Sequence, residues 1–322
     1  MPRSEELSVH AGEAILAGTL TLPDEPPPSD RRGRFPTALL LPSWLPRSRD
    51  GGYDRSGHPT WFRPGPEGPG VLSRLAEALA RHGVASLRCD PRGCGASEGA
   101  WEQVGLFTKI DDARDMLGAI RGHGGLDLRR TGLVGHGEGA GLALAVAIGD
   151  PAVSALTLIG SSARSWRDVL RRAVAARGRD GWDRQHPMVA AVDRWSEDLI
   201  ERAERHEVTF DLFLGGGDAV TMALAGVEQA IHTPPLALAT MLHRSVSLVH
   251  GQDDHWTDRD ESRLLAASLG SDDGASLRLV PGADHDLDEA GDQVFDELAA
   301  DMAARLLPRE LPPVLTAIEE MG

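Results

Sequence analysis

The chain has 322 residues, of which 41% are hydrophobic and 25% charged, a length that admits one large α/β domain or two small ones and a composition ordinary for a globular protein. A formal net charge of -16 speaks against nucleic acid or an anionic membrane as partner, since either repels the chain at long range. No apolar run approaches the roughly 20 residues of a membrane span, and Met1 to Glu6 lacks a signal peptide's apolar stretch, so a cytoplasmic location is expected.

From the amino terminus, Glu6–Val9 and Ala14–Leu22 read as β-like segments around His10-Ala11-Gly12, an opening hairpin. Pro23 to Arg34 is a Pro-rich loop, Thr37–Leu41 a buried strand, and Leu72–Arg81 a helix with Leu72, Leu75, Ala76 and Leu79 on one face. Between the last two, Ser43 to Gly70 is rich in Gly, Pro, Arg and aromatics, too long for a simple connection, and such loops in compact domains are often functional. The alternation then continues: strand Val84–Cys89, helix Ile110–Ile120, strand Thr131–Val134, helix Glu138–Ile148 and strand Val153–Ile159. Strands alternating with helices predict a mostly parallel, twisted sheet with helices on both faces.

After Ser161 the rhythm breaks. Arg164 to Met241 is helical in pattern, carries Trp166, Trp182 and Trp195, and reads as an inserted cap that ends at Thr233-Pro234-Pro235. Strand Val246–Val249, helix Glu261–Leu269, strand Leu277–Val280 and helix Gln293–Leu306 complete the sheet. The expected organisation is therefore an α/β core over 1–162 and 242–306, a helical cap insertion over 163–241 and a tail over 307–322. Cys89 and Cys94 flank a strand end and a Gly-rich turn and are expected to be free thiols.

One run concentrates the chemical interest. Leu133-Val134-Gly135-His136-Gly137-Glu138-Gly139-Ala140-Gly141 follows an apolar segment and opens an Ala/Leu-rich helix, the context of a G-x-S-x-G nucleophile elbow. Here the elbow reads G-H-G-E-G, and Gly137 offers no oxygen at the nucleophile position. Before it, Asp90-Pro91-Arg92-Gly93-Cys94-Gly95-Ala96-Ser97 reads D-x-R-G-x-G-x-S, and after it His250-Gly251-Gln252-Asp253-Asp254 reads G-x-x-D and Pro281-Gly282-Ala283-Asp284-His285 reads P-G-x-x-H.

In this combination the chain resembles the α/β-hydrolase superfamily, with a core of the dienelactone hydrolase or serine aminopeptidase type, over most of its length outside the cap and tails. The resemblance implies an α/β-hydrolase fold, with Asp254 as catalytic acid, Asp253 as the alternative, and His285 as catalytic histidine, in the chain order elbow, acid, histidine. The acid orients the imidazole and stabilises its protonated form. The implied oxyanion hole takes the N–H of Glu138 and, after the third strand, the N–H of Trp44, where Leu41-Pro42-Ser43-Trp44 replaces the more usual H-G-x. His136 and Trp166 are the expected substrate-binding residues, and Trp44, Trp61, Trp182 and Trp195 are further aromatics for a pocket or the cap core. Neither cofactor nor metal is implied, and the expected partner is a small-molecule carbonyl, ester or peptide substrate.

Ser43, Ser161, Ser162, Cys94 and His136 stand near the implied pocket mouth as candidates for a substitute nucleophile, each with an ordinary explanation as a turn or packing residue. The missing side chain at 137 is expected to leave about the space of one water beside His285. Three readings follow. In the first, an atypical enzyme uses the Asp254–His285 base for water activation or proton transfer. In the second, the chain is a non-catalytic binding protein, as N-myc downstream-regulated proteins are regarded. In the third, it is an ester or amide hydrolase whose elbow serine was exchanged for glycine, and Gly137→Ser restores hydrolysis.

Overall fold

The computed structural model describes residues 2–25, 34–44, 46–52, 70–179, 187–213, 219–269 and 275–306. Trp61, Trp182 and the tail over 307–322 lie outside the described residues, as do the side chain of Trp195 and most of the Pro-rich loop. Among the described residues no helix is long and apolar enough to cross a membrane.

Eight strands form the main sheet. The chain opens with β1 (Arg3–Ala11) and β2 (Ala14–Leu22), an antiparallel hairpin in continuous register from Arg3 opposite Leu22 to Ala11 opposite Ala14. β3 (Phe35–Leu41), α1 (Val71–Arg81), β4 (Ala85–Cys89), α2 (Leu106–Gly122), β5 (Leu126–His136), α3 (Glu138–Gly149) and β6 (Val153–Ile159) follow, the alternation read from the sequence. After the segment between β6 and the next sheet strand come β9 (Val246–Gly251), α8 (Arg259–Ser268), β10 (Ser276–Val280) and α9 (Asp292–Leu306). The spatial order is β1-β2-β4-β3-β5-β6-β9-β10. β2 meets β4 antiparallel, and every pair from β4 to β10 is parallel. The sheet has the α/β-hydrolase order, with its last two strands and their loops on the far side of β5 and β6.

The pleat explains the two faces. In β3, Leu39 and Leu41 join a core with α2, α3 and α8, whereas Ala38 and Leu40 join a core with α1 and α9. All seven residues of β3 are buried, as expected of a strand covered on both faces. Pro36 cannot donate to a ladder, and the β3–β5 register shifts between Phe35 and Thr37 around it. The first strand of the central pair is longer than its apolar run suggested: β5 begins at Leu126 because Asp127 caps it locally, accepting from Arg129 N at 3.0 Å and Arg130 Nε at 2.6 Å.

Between β6 and β9 lie α4 (Trp166–Arg179), α5 (Pro187–Glu204), β7 (Thr209–Phe213), β8 (Ala219–Ala223), α6 (Ala225–His232) and α7 (Pro235–Ala239). The antiparallel pair β7–β8 was not foreseen by the helical reading. Its five-residue strands are too short for a clear period, and Phe210 opposite Met222 places one buried side chain from each against Leu199, Ile200 and Leu224. This third cluster is separate from the two sheet cores, while Ala239 at the end of α7 and Leu242 return to the main core. Glu261 of α8, 1% exposed, ties down the start of the segment by accepting from Ala163 N at 3.1 Å, Arg164 N at 3.0 Å and the Arg164 guanidinium.

The D-x-R-G-x-G-x-S loop is a knot of buried charge. Asp90 accepts from Arg49 N at 2.7 Å, Arg49 Nη2 at 2.8 Å and Ala96 N at 3.1 Å, and Arg92 grips Asp112 of α2 through Nε and Nη2 at 2.7–2.9 Å. Cys89 and Cys94 are both buried thiols outside any disulfide, and burial pushes the Cys89 thiol up to about 12, which keeps it protonated and unreactive.

Candidate active site

Three glycines shape the turn between β5 and α3. Gly137 has φ 55° and ψ -115°, the strained elbow conformation, and Gly137 N–H donates to Ile159 O at 2.8 Å. A Cβ at Gly135 would lie 2.2 Å from Gly139 O, and one at Gly139 would lie 2.4 Å from Leu41 O and 2.7 Å from Pro42 O. The glycines therefore press the first turn of α3 against β5 and against the backbone that leaves β3. Glu138, the first residue of α3, presents a helix N-terminal N–H, one of the donors that has no acceptor within its own helix. Its carboxylate turns away to Lys109 of α2, 2.6 Å distant.

Asp254 follows β9, and its side chain is fully buried. Its Oδ1 accepts the N–H groups of Trp256 and Thr257, both at 2.8 Å, and its Oδ2 accepts Nδ1–H of His285 at 2.7 Å. Asp253 makes no such contact; its N–H is bonded to Ala283 O at 3.0 Å. Burial works to raise the Asp254 carboxyl, but the charge of His285 and hydrogen bonds from His250 and His285 outweigh it and hold the group well below the usual carboxylate range. Burial likewise opposes the charged form of His285, and the charge and hydrogen bond of Asp254, followed by Asp286, lift it above the ordinary histidine value. The pair is an ionised acid beneath an imidazole whose Nδ1 is committed and whose Nε2 faces outward.

What faces Nε2 is Ser43. Its Oγ lies 3.3 Å from His285 Nε2, a length that suits a resting site in which catalytic hydrogen bonds have yet to tighten. A Cβ built on Gly137 would stand 2.0 Å from Ser43 Oγ, 2.8 Å from Ser43 Cβ and 3.0 Å from His285 Nε2. The space of the missing elbow side chain, expected to suit a water, is thus filled by a serine from another loop. Of the other nearby candidates, Ser161 is buried and bonded to Ser262 at 3.0 Å, Cys94 packs with Trp101 in the third cluster, and Ser162 lines the cavity without reaching His285.

His136 does not take the expected place among substrate contacts. It is 0% exposed, with its ring 4.8 Å from that of His285 and its Nε2–H donating to His285 O at 3.0 Å. It lies below the Asp254–His285 pair because it is the last residue of β5, where the pleat turns its side chain under the loop that carries His285. Burial and the neighbouring His285 push its pKa down to about 3, so it stays neutral and holds the loop in place.

Four residues that the motifs did not single out complete the surroundings. His250, 0% exposed, shares Nε2–H between Asp254 Oδ2 at 3.2 Å and Thr257 O at 2.8 Å, while its Nδ1 accepts from Ser262 Oγ at 2.7 Å. Arg47, 3% exposed, donates through Nη1 to Asp286 Oδ1 and to Gly51 O, both at 2.9 Å. Gly160, with φ 57°, lets the imidazole lie against its backbone, since a Cβ there would be 3.1 Å from the ring. The adjacency of His250 to G-x-x-D and of Asp286 to His285 was the available signal. His136, His285 and Asp286 are the one group of metal-ligating types that gathers among the described residues. Arg47 already holds Asp286, placing a fixed positive charge where a cation would sit.

Above Ser43, Gly137 and His285 opens a cavity of about 110 Å³. Leu106 and Ile110 of α2 and Trp166 and Leu170 of α4 are among the residues that line it. Trp166 meets Trp44 edge-on with ring centroids 4.2 Å apart, a contact that joins the loop after β3 to the start of α4. Trp44 itself lines the cavity, its carbonyl accepting from Arg47 Nε at 3.4 Å.

Residues 67–289 match the family described as "Serine aminopeptidase, S33". No curated protein sequence matches significantly. Similar solved structures include Est1E from Butyrivibrio proteoclasticus with bound ferulic acid, at TM-score 0.63 and 14% identity over 93% of this chain and 98% of that one. The α/β hydrolase GrgF from a Penicillium species is similar at TM-score 0.63 and 14% identity, over 95% of this chain and 99% of that one. A Pyrococcus furiosus esterase is similar at TM-score 0.62 and 14% identity, over 95% of this chain and 92% of that one. At these identities the structural likeness establishes the fold.

Proposed function

Because the chain belongs to the serine aminopeptidase family of α/β-hydrolases, we propose that it hydrolyses a small carbonyl substrate, an ester foremost, with Asp254 and His285 as its acid–base pair. The observation that carries this reading is the buried Asp254–His285 hydrogen bond of 2.7 Å with Nε2 turned to the cavity beside a helix N-terminus. A chain that had abandoned catalysis would have little use for an ionised carboxylate held so far from water, since such a group is costly to bury without a task or partner.

In the proposed reaction His285 Nε2 removes the proton of an attacking oxygen and returns it to the leaving group, and Asp254 stabilises the imidazolium between the two steps. Water is the final acyl acceptor, and the products are a carboxylic acid and an alcohol. Charge that develops on the carbonyl oxygen falls to the N–H of Glu138, assisted by the α3 dipole, with Trp44 N–H as the second proposed donor. Residues 163–241 are assigned as the cap that closes the cavity, and Trp166 as the residue that contacts the acyl group. The Pyrococcus furiosus esterase among the similar structures supports ester over amide as the first class to test, and the mainly apolar walls favour an uncharged acyl group.

The test is steady-state hydrolysis of short-chain nitrophenyl esters by the chain and by His285→Ala. The chain is expected to turn over, and the variant to lose activity by a factor on the order of 10⁴. Equal rates in both proteins, or no hydrolysis across ester and anilide panels, would overturn the proposal.

A further inference from the structure

We propose that Ser43 is the nucleophile of this enzyme, transposed from the elbow to the loop after β3, so that the catalytic triad is Ser43–His285–Asp254. The inference rests on the hydrolase reading above and adds a covalent acyl-Ser43 intermediate to it.

Three observations converge on it. Ser43 Oγ is 3.3 Å from His285 Nε2, whose other nitrogen is bound to Asp254 at 2.7 Å, giving the connected order hydroxyl, imidazole, carboxylate. The hydroxyl stands 2.0 Å from where an elbow Cβ would be, so it occupies the region in which the fold delivers its nucleophile. It also lines the cavity, at 9% exposure, and is therefore reachable by a substrate while screened from bulk water.

The local sequence explains how a residue from β3 reaches that point. Gly139 removes the side chain that would collide with Leu41 O and Pro42 O, so the chain leaving β3 runs directly against α3. Gly137 then removes the side chain that would collide with Ser43. The two changes are mutually dependent: a side chain at 137 and a serine hydroxyl at 43 exclude one another in this arrangement. The G-H-G-E-G elbow is in this view an accommodation of Ser43, with its strained turn retained to aim the Glu138 N–H.

The chemistry balances without a further reactant. Ser43 Oγ attacks the ester carbonyl as its proton passes to His285 Nε2; the tetrahedral oxyanion collapses, and the alkoxide leaves with that proton as the alcohol. Water, deprotonated by His285, then attacks acyl-Ser43, and the proton returns to Ser43 Oγ as the carboxylic acid departs.

The experiment combines covalent labelling with turnover. The full chain is treated with an alkyl fluorophosphonate, whose fluoride is displaced by an activated hydroxyl, and the adduct is located by intact mass and peptide sequencing. Nitrophenyl-ester hydrolysis is followed in parallel for the chain, Ser43→Ala, Ser43→Cys and His285→Ala. The proposal expects one adduct on Ser43, its loss in Ser43→Ala and His285→Ala, a fall in turnover on the order of 10⁴ in Ser43→Ala, and acylation of the cysteine in Ser43→Cys. Labelling of the unaltered chain keeps the test decisive even if a substitution at 43 impairs folding. An adduct at another residue, or His285-dependent hydrolysis that persists in Ser43→Ala, overturns the inference and leaves the hydrolase reading standing. Absence of both hydrolysis and labelling overturns the two together.

Discussion

Placing a serine back at the elbow is expected to destabilise this protein unless Ser43 is removed at the same time. Gly137 has φ 55°, and a residue with a side chain held in such a region costs about 1–3 kcal/mol. The added Cβ would also stand 2.0 Å from Ser43 Oγ and 2.8 Å from Ser43 Cβ. Rotation of the hydroxyl relieves the first contact, but the second requires the backbone after Pro42 to move, and overpacking of this kind costs about 1–3 kcal/mol. Gly137→Ser is therefore expected to lose about 2–6 kcal/mol in all, which for a chain of this size lowers Tm by roughly 3–9 °C. Ser43→Gly deletes both contacting atoms, so the double variant should recover the overpacking part and leave the backbone part. Urea unfolding of the four proteins of this cycle measures the coupling directly, and a value of about 1–3 kcal/mol favouring the pair is expected. A single Gly137→Ser as stable as its parent, or a coupling within about 0.5 kcal/mol of zero, would refute the argument that the two positions compete for one space. The same collision predicts that Gly137→Ser alone does not give a fast hydrolase, whereas Gly137→Ser with Ser43→Gly moves fluorophosphonate labelling to residue 137.

Four further outcomes follow from the site and its support. Hydrolysis needs neutral His285, and since Asp254 raises its pKa above the ordinary histidine value, turnover should rise with pH through a midpoint above about 6.5. Asp254→Asn should move that midpoint down and cut kcat on the order of 10⁴, both read from a pH–rate profile. Asp254 has a lowered folded pKa, so its stabilisation is complete above the usual carboxylate value and is lost as pH falls; urea midpoints across the acid range should show a shallower decline in Asp254→Asn than in the parent. Trp166→Ala enlarges the cavity that Trp166 lines and should raise the kcat/KM ratio of longer over short acyl esters by about tenfold or more. An unchanged ratio would remove Trp166 from the acyl site. Arg92→Lys keeps the charge but loses the fork on Asp112 and should cost about 1.5–3 kcal/mol in urea unfolding with little change in kcat.

The α/β alternation rests on local pattern and was legible in the chain itself, and the motif spacing sufficed to propose the order elbow, acid, histidine and Asp254 over Asp253. Strand and helix periods follow from which face of an element is apolar, and G-x-x-D and P-G-x-x-H are short enough that spacing alone fixes which residue reaches the turn. The β7–β8 pair was not legible, because two five-residue strands carry too little periodicity and are stabilised by Phe210 and Met222 meeting residues of α5. His136 was misjudged for a related reason: its motif position is local, but its role depends on which loop packs over the end of β5, and that loop arrives from 149 residues away. Ser43 is the sharpest case. In sequence it is a turn serine after a proline, 94 residues before Gly137 and 242 before His285. Its place at Nε2 arises only when the sheet sets β3 beside β5 and the elbow glycines let their connections touch. The sequence by itself determined that a glycine stands at the elbow; only the packing of three distant loops decided which oxygen lies beside it.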